Sequence, residues 1–179
     1  MKMSALTPLL ITCLMLSACT SKPKSDYDTE YDFSQLNSFE TVSPSKTDDP
    51  LSASRIQDSI AVALSKQGFV MVQQQADFNV TYSFKVENKP KKSGLSIGLG
   101  TGTWGSSGGA SVGTSVGVPI GSDTAQIQTI QIDIINPKTN KLIWRGTDKF
   151  DFDAGGEEKM AETQKTVTKI LSQFPPLTK

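Results

Sequence analysis

The residues of this chain that could do chemistry are few and fall in two places. Near the start, Leu16-Ser17-Ala18-Cys19 sets a thiol directly behind two small residues. Much further on, Asp148, Asp151 and Asp153 crowd one segment, with Glu157, Glu158 and Glu162 following. Histidine is absent, and the cysteines are Cys13 and Cys19 alone. Lack of histidine removes Ser-His-Asp and Cys-His nucleophiles, His-ligated zinc and the usual switch near neutral pH. An enzyme would have to work with carboxylates, lysines or hydroxyls.

The acids offer two chemistries, and neither is complete. Asp151, Asp153, Gly156 and Glu162 match positions 1, 3, 6 and 12 of a calcium loop, but Gly155 takes position 5, where a ligand is required. A strand rather than a helix also leads into that loop. On one strand face, Asp151 and Asp153 would stand about 6–7 Å apart, near the separation of glycosidase carboxylates, yet no cleft is readable around them. The plainer reading is a wet strand face, with Glu157 and Glu158 favouring the start of a helix. Gly100-x-Gly102-x-x-Gly105 spells a dinucleotide fingerprint by letter only, because more glycine and another strand follow where a helix is needed. The expectation is a protein that is not an enzyme and holds no metal or cofactor.

Around Cys19 the signal is of another kind. A basic start (Met1-Lys2) precedes an apolar run from Ala5 to Leu16, interrupted by Pro8 and shorter than the roughly 20 residues of a spanning helix. Small residues then close the layout of a secretory signal over residues 1–18. The cysteine behind it makes the segment resemble the lipobox of bacterial lipoproteins. That resemblance implies cleavage between Ala18 and Cys19, and a diacylglyceryl group and fatty chains such as palmitate on Cys19. Thr20, not aspartate, follows the cysteine, which in that family implies the outer membrane, facing the periplasm. With Cys13 removed and Cys19 acylated, no disulfide can form. The 18 basic and 18 acidic residues balance, so nothing argues electrostatically for nucleic acid.

Residues 19–30 read as a lipidated N-terminus and flexible polar tether, 31–174 as a single domain, and 175–179 as a tail. Tyr31-Asp32-Phe33 and Ser38–Ser43 suggest a first strand. Asp49-Pro50 opens a helix with a capping carboxylate and a proline at its first position. Ala53, Ile56, Ile60, Ala63 and Leu64 give that helix one apolar face, and Gly68 ends it with Phe69 placed to touch Leu64. Phe69–Val72 is a short strand. Phe78, Val80, Tyr82, Phe84 and Val86 alternate with polar residues, as in a strand buried on one side. Ile130, Ile132 and Ile134 do the same, and Ile127, out of phase, suggests a bulge near Thr129. After a turn at 136–140, Leu142, Trp144, Phe150 and Phe152 line the returning strand. A last helix carries Met160, Thr163, Val167, Ile170 and Phe174 before Pro175-Pro176. The predicted fold is α+β: a two-layer sandwich with two helices on one face of a mostly antiparallel sheet.

Residues 94–121 hold ten of the chain's 14 glycines. They read as a glycine-rich β-hairpin insertion with Trp104 near its tip. Such a surface allows a second backbone or a glycan to approach closely. As an alternative, its arms match the length of membrane-spanning strands in an oligomeric barrel. Trp104 and Arg145 are the candidate partner-binding residues, Arg145 on the open sheet face with Lys85 and Lys149.

Together, the lipobox, Tyr31-Asp32-Phe33-Ser34, Gly68-Phe69, Ala76-Asp77-Phe78-Asn79-Val80, the glycine-rich insertion and the run Asn136–Gly146 (Asn-Pro-Lys-Thr-Asn-Lys-Leu-Ile-Trp-Arg-Gly) resemble the bacterial envelope lipoproteins grouped as DUF4136, over roughly residues 27–174. The resemblance implies an envelope lipoprotein and supplies no catalytic residues. The expected function is a non-enzymatic outer-membrane lipoprotein, tied to the membrane through Cys19, that serves a periplasmic protein or cell-wall partner in envelope assembly or maintenance. The alternatives are a small-molecule or glycan (peptidoglycan) binding module and an oligomeric hairpin-barrel component.

Overall fold

The computed structural model describes residues 22–44, 47–89 and 125–176. The expected glycine-rich hairpin, Trp104, Ala18 and Cys19 lie outside the described residues. The elements run β1 (Lys24–Tyr27), a 3-10 turn (Phe33–Gln35), β2 (Ser38–Val42), α1 (Pro50–Lys66), β3 (Val70–Met71), β4 (Phe78–Asn88), β5 (Gln126–Asn136), β6 (Lys141–Phe152) and α2 (Glu157–Leu171). The strands form one six-stranded sheet in the order β1-β6-β5-β4-β2-β3. β2 pairs parallel with β3 and β4, and the other pairings are antiparallel. Both helices pack against one face, giving the α+β two-layer arrangement that the amphipathic helices and one-sided strands require.

The local chemistry explains the boundaries. The Asp49 carboxylate accepts from the Ser52 amide at 2.9 Å and from Ser52 Oγ at 2.6 Å, ahead of Pro50. At the other end of α1, Gly68 takes a left-handed φ of 98°, and the Phe69 amide donates to the Leu64 carbonyl at 3.1 Å. The stripe Ala53, Ile56, Ile60, Ala63 and Leu64 is buried throughout. Asp77, which the sequence marks only as part of a family pattern, locks the start of the sheet. Its Oδ2 accepts from the amides of Asn37 and Ser38 and from Ser38 Oγ, at 3.0, 2.9 and 2.9 Å.

Four expectations need correction. Lys24–Tyr27, assigned to the tether, forms an edge strand on β6; it is exposed along its length and held by backbone pairing, so no hydrophobic pattern marks it. Tyr31–Phe33 is not a strand: Phe33 enters the core from the 3-10 turn, capped by Asp32. β5 runs in unbroken register past Thr129, and the irregularity falls at Ile134/Ile135, where Ile143 is the extra residue on β6. That shift buries Ile143 beside Trp144 and leaves Leu142 44% exposed. On α2, Met160 faces solvent and Lys159 lies inward, because the buried phase is Lys159, Thr163, Thr166, Val167, Ile170 and Leu171.

Candidate functional site

The open face of the sheet presents the alternate residues of each strand. Thr81 lies beside Asp133, Asp133 beside Arg145, and Arg145 beside Asp26; one step along, Ser83, Gln131, Thr147 and Lys24 form the next row. The face is polar, as strand alternation requires when only the other side is covered. Arg145 is placed there as expected, but it is not a free cation. Its Nε and Nη2 donate to the two carboxylate oxygens of Asp133, each at 2.7 Å, in a bidentate fork. Gln131 Nε2 adds a third donor to Asp133 at 3.2 Å. Donating to the Asp133 carboxylate raises the Arg145 pKa above its ordinary value. The pair makes a fixed planar feature on the face. Trp144, next in sequence, points the other way and is buried, its Nε1 without a hydrogen-bond partner among the described residues.

The acids do not converge. Asp148 lies on the helix side, where Lys169 Nζ meets it at 2.9 Å. Asp151 is on the open side, paired with Lys89. Glu162 pairs with Lys165 at 3.1 Å on α2. Asp151, Asp153 and Glu162 therefore do not share a loop, and no group of three or more metal-capable side chains gathers among the described residues. Lys85 is likewise occupied, by Glu87 at 3.0 Å.

Sequence reasoning missed a second polar region, on the helix side of the sheet. Lys159, 8% exposed, reaches Asp49 Oδ2 at 3.3 Å and stands 4.7 Å over the Phe152 ring. Partial burial works against the Asp49 charge, but hydrogen bonds from Ser52 and Lys159 prevail and hold its carboxyl below the usual range. Gln128 points inward on β5 between Val86 and Phe150, fully buried, and neither its amide nitrogen nor its oxygen has a partner among the described residues. Beside Asp49 opens a cleft of about 470 Å³, walled by Pro44, Thr47, Asp48, Ser83, Phe84, Lys85 and Val86. The available signal was the capping Asp49, whose second role as partner to Lys159 depends on the phase of α2.

The family model "Domain of unknown function (DUF4136)" matches residues 23–176. No curated protein sequence matches the chain. Among solved structures, the fold is similar to a PDZ domain protein from Parabacteroides distasonis, at 14% identity and a TM-score of 0.57, over 86% of this chain and 35% of that one. The chain thus spans about a third of that protein's length. It is also similar to PelC from Paraburkholderia phytofirmans, solved as a dodecamer, at 13% identity and a TM-score of 0.51, over 85% of this chain and 97% of that one. A minor lipoprotein from Acinetobacter baumannii aligns at 11% identity and a TM-score of 0.38, over 77% and 88% of the two chains. For the PDZ domain protein and PelC the likeness is one of fold.

Proposed function

The chain belongs to the DUF4136 family, and from that premise we propose that it is a non-enzymatic outer-membrane lipoprotein. Acyl chains on Cys19 hold it to the membrane, and its folded body presents a binding surface to a periplasmic protein. The observation that carries this reading is the run Leu16-Ser17-Ala18-Cys19 at the end of a short apolar segment. Two acyl chains supply the anchoring that a single chain would give only reversibly. Among the described residues, no helix is long and apolar enough to cross a membrane.

The decisive experiment replaces the acylated thiol. Cys19→Ser is expected to abolish incorporation of labelled palmitate and to move the protein out of the outer-membrane fraction. A serine variant still found in that fraction at the processed mass overturns the reading. A second reading, a small-molecule or glycan module, is favoured by the cleft beside Asp49 and Phe84. Crosslinking in cells separates the two: a defined protein adduct supports the first, a recovered muropeptide the second.

A further inference from the structure

A lipid on Cys19 fixes one point of the chain at the bilayer, and the fold restricts which side of the domain can come near that point. β1 begins at Lys24, which pairs with Thr147 midway along β6. Gln173, just past α2, clasps the chain there. Its Nε2 donates to the Pro23 carbonyl at 3.1 Å, and its Oε1 accepts from Ser25 Oγ at 2.6 Å. The chain is therefore held from Pro23 onward, and four residue steps separate Pro23 from Cys19. Fully extended, those steps span about 14 Å.

The direction of β1 supplies the rest. It runs antiparallel to β6, so the chain traced back from Lys24 heads toward Phe152 and away from Lys141. At about 3.3 Å per residue, the Phe152 end lies about 13 Å ahead of Pro23 and Lys141 about 23 Å behind it. β3 is the opposite edge of the sheet, five strand spacings or about 24 Å from β1. The tether reaches the Phe152 end, and it is too short to let the domain stand on the 136–140 turn or on β3.

We propose that the β1 edge and the Phe152 end of the sheet form the membrane-facing side of this domain, in contact with phospholipid headgroups, while the 136–140 turn and the β3 edge point away. The proposal rests on the lipobox reading and adds an orientation to it. Exposed Lys22, Lys24 and Lys149 can meet headgroup phosphates on the near side, but exposed Asp151, Asp153, Glu157 and Glu158 lie at the same end, so the tether and not net charge sets the orientation. The far side carries exposed Val70 and Met71 on β3 and Val62 on α1, where a partner can reach them.

The test uses the full lipidated chain in vesicles of phosphatidylethanolamine and phosphatidylglycerol. With Cys13 cleaved off and Cys19 acylated, an added cysteine is the single free thiol. Lys149→Cys and Asp153→Cys mark the near side, Thr139→Cys and Val70→Cys the far side. A fluorophore on each is read against a quencher attached to lipid headgroups. The expected result is loss of fluorescence at positions 149 and 153, and none at 139 and 70. Quenching at 139 or 70 as strong as at 153 overturns the orientation. Intact mass of the same sample reports acylation independently, so an unacylated chain counts against the lipobox reading rather than against the geometry. A flexible Gly/Ser linker of about 20 residues inserted after Thr20 should erase the contrast. A contrast that survives the linker overturns the short tether as its cause.

Discussion

The two ends of the core are built differently. Toward the 136–140 turn, aromatic rings interlock. Phe78 lies 5.2 Å from Phe69 and 5.3 Å from Phe174, and Phe174 lies 5.4 Å from Trp144. Phe33 and Phe39 close this cluster, and both are buried. Toward the Phe152 end, the same layer holds a buried amide at Gln128 and a buried ammonium at Lys159. The alternation of β4 fades there too, into half-buried Phe84 and Val86 at 37% exposure. The first end is held mostly by dispersion and apolar burial, with Trp144 Nε1 unpartnered among the described residues; the other buries an amide and an ammonium beside Phe150 and Phe152. Local opening should cost less at the polar end.

Substitutions can break that contrast or sharpen it. The largest effect is expected for Phe78→Ala, a loss of about 4 kcal/mol in denaturant unfolding of the unlipidated domain, against about 1 kcal/mol for Phe84→Ala. Equal costs would abolish the distinction between the ends. Gly146→Ala comes next. Its new Cβ would lie 2.3 Å from Trp144 Cη2 and 2.5 Å from Ile170 Cγ2, two side chains buried with no room to yield. A loss of about 3 kcal/mol is expected, and a neutral result would mean that the aromatic end has slack. Gln128→Met should instead stabilise the domain by about 1 kcal/mol, since it removes an unpaired buried amide at nearly constant shape. A lowered Tm in that variant would show that the amide is satisfied in solution.

The smallest effect concerns acid. Hydrogen bonds from Ser38 and from the Asn37 amide hold the Asp77 carboxyl below its ordinary pKa. A depressed folded pKa gives stability that is complete above the ordinary carboxylate range, near pH 4, and is lost as pH falls through the folded value. Asp77→Asn should therefore cost about 1 kcal/mol at neutral pH, discounted for its partial exposure, and flatten the decline of Tm below pH 4. An acid limb identical to that of the parent would remove Asp77 from this role.

Much of the fold was legible because local signals agreed with one another. Asp49-Pro50 and Gly68-Phe69 bracket a helix whose apolar stripe is continuous, and Phe78 to Tyr82 alternate cleanly. What stayed hidden had no apolar signature. β1 is exposed along its length and is held by backbone pairing and by Gln173, a residue distant in sequence. Gln128 and Lys159 occupy inward positions with polar side chains, so periodicity points to Met160 in place of Lys159 and leaves Ile127 out of phase beside Gln128. The bulge at Ile143 inverts the phase of β6 just where Leu142 and Trp144 looked equivalent. Arg145 was placed on the right face, but its pairing with Asp133 depends on strand register, which no single segment encodes.

The neighbour of β1 in the sheet is the last strand of the chain, β6. Closing a loop that long carries a high entropic cost, and contacts between distant segments slow folding. The strand nearest the proposed anchor thus waits for nearly the whole polypeptide before it has anything to pair with. Until then the outer edge of β6 is an open template for other strands, and the few exposed residues of β1 serve as the seal that ends that hazard.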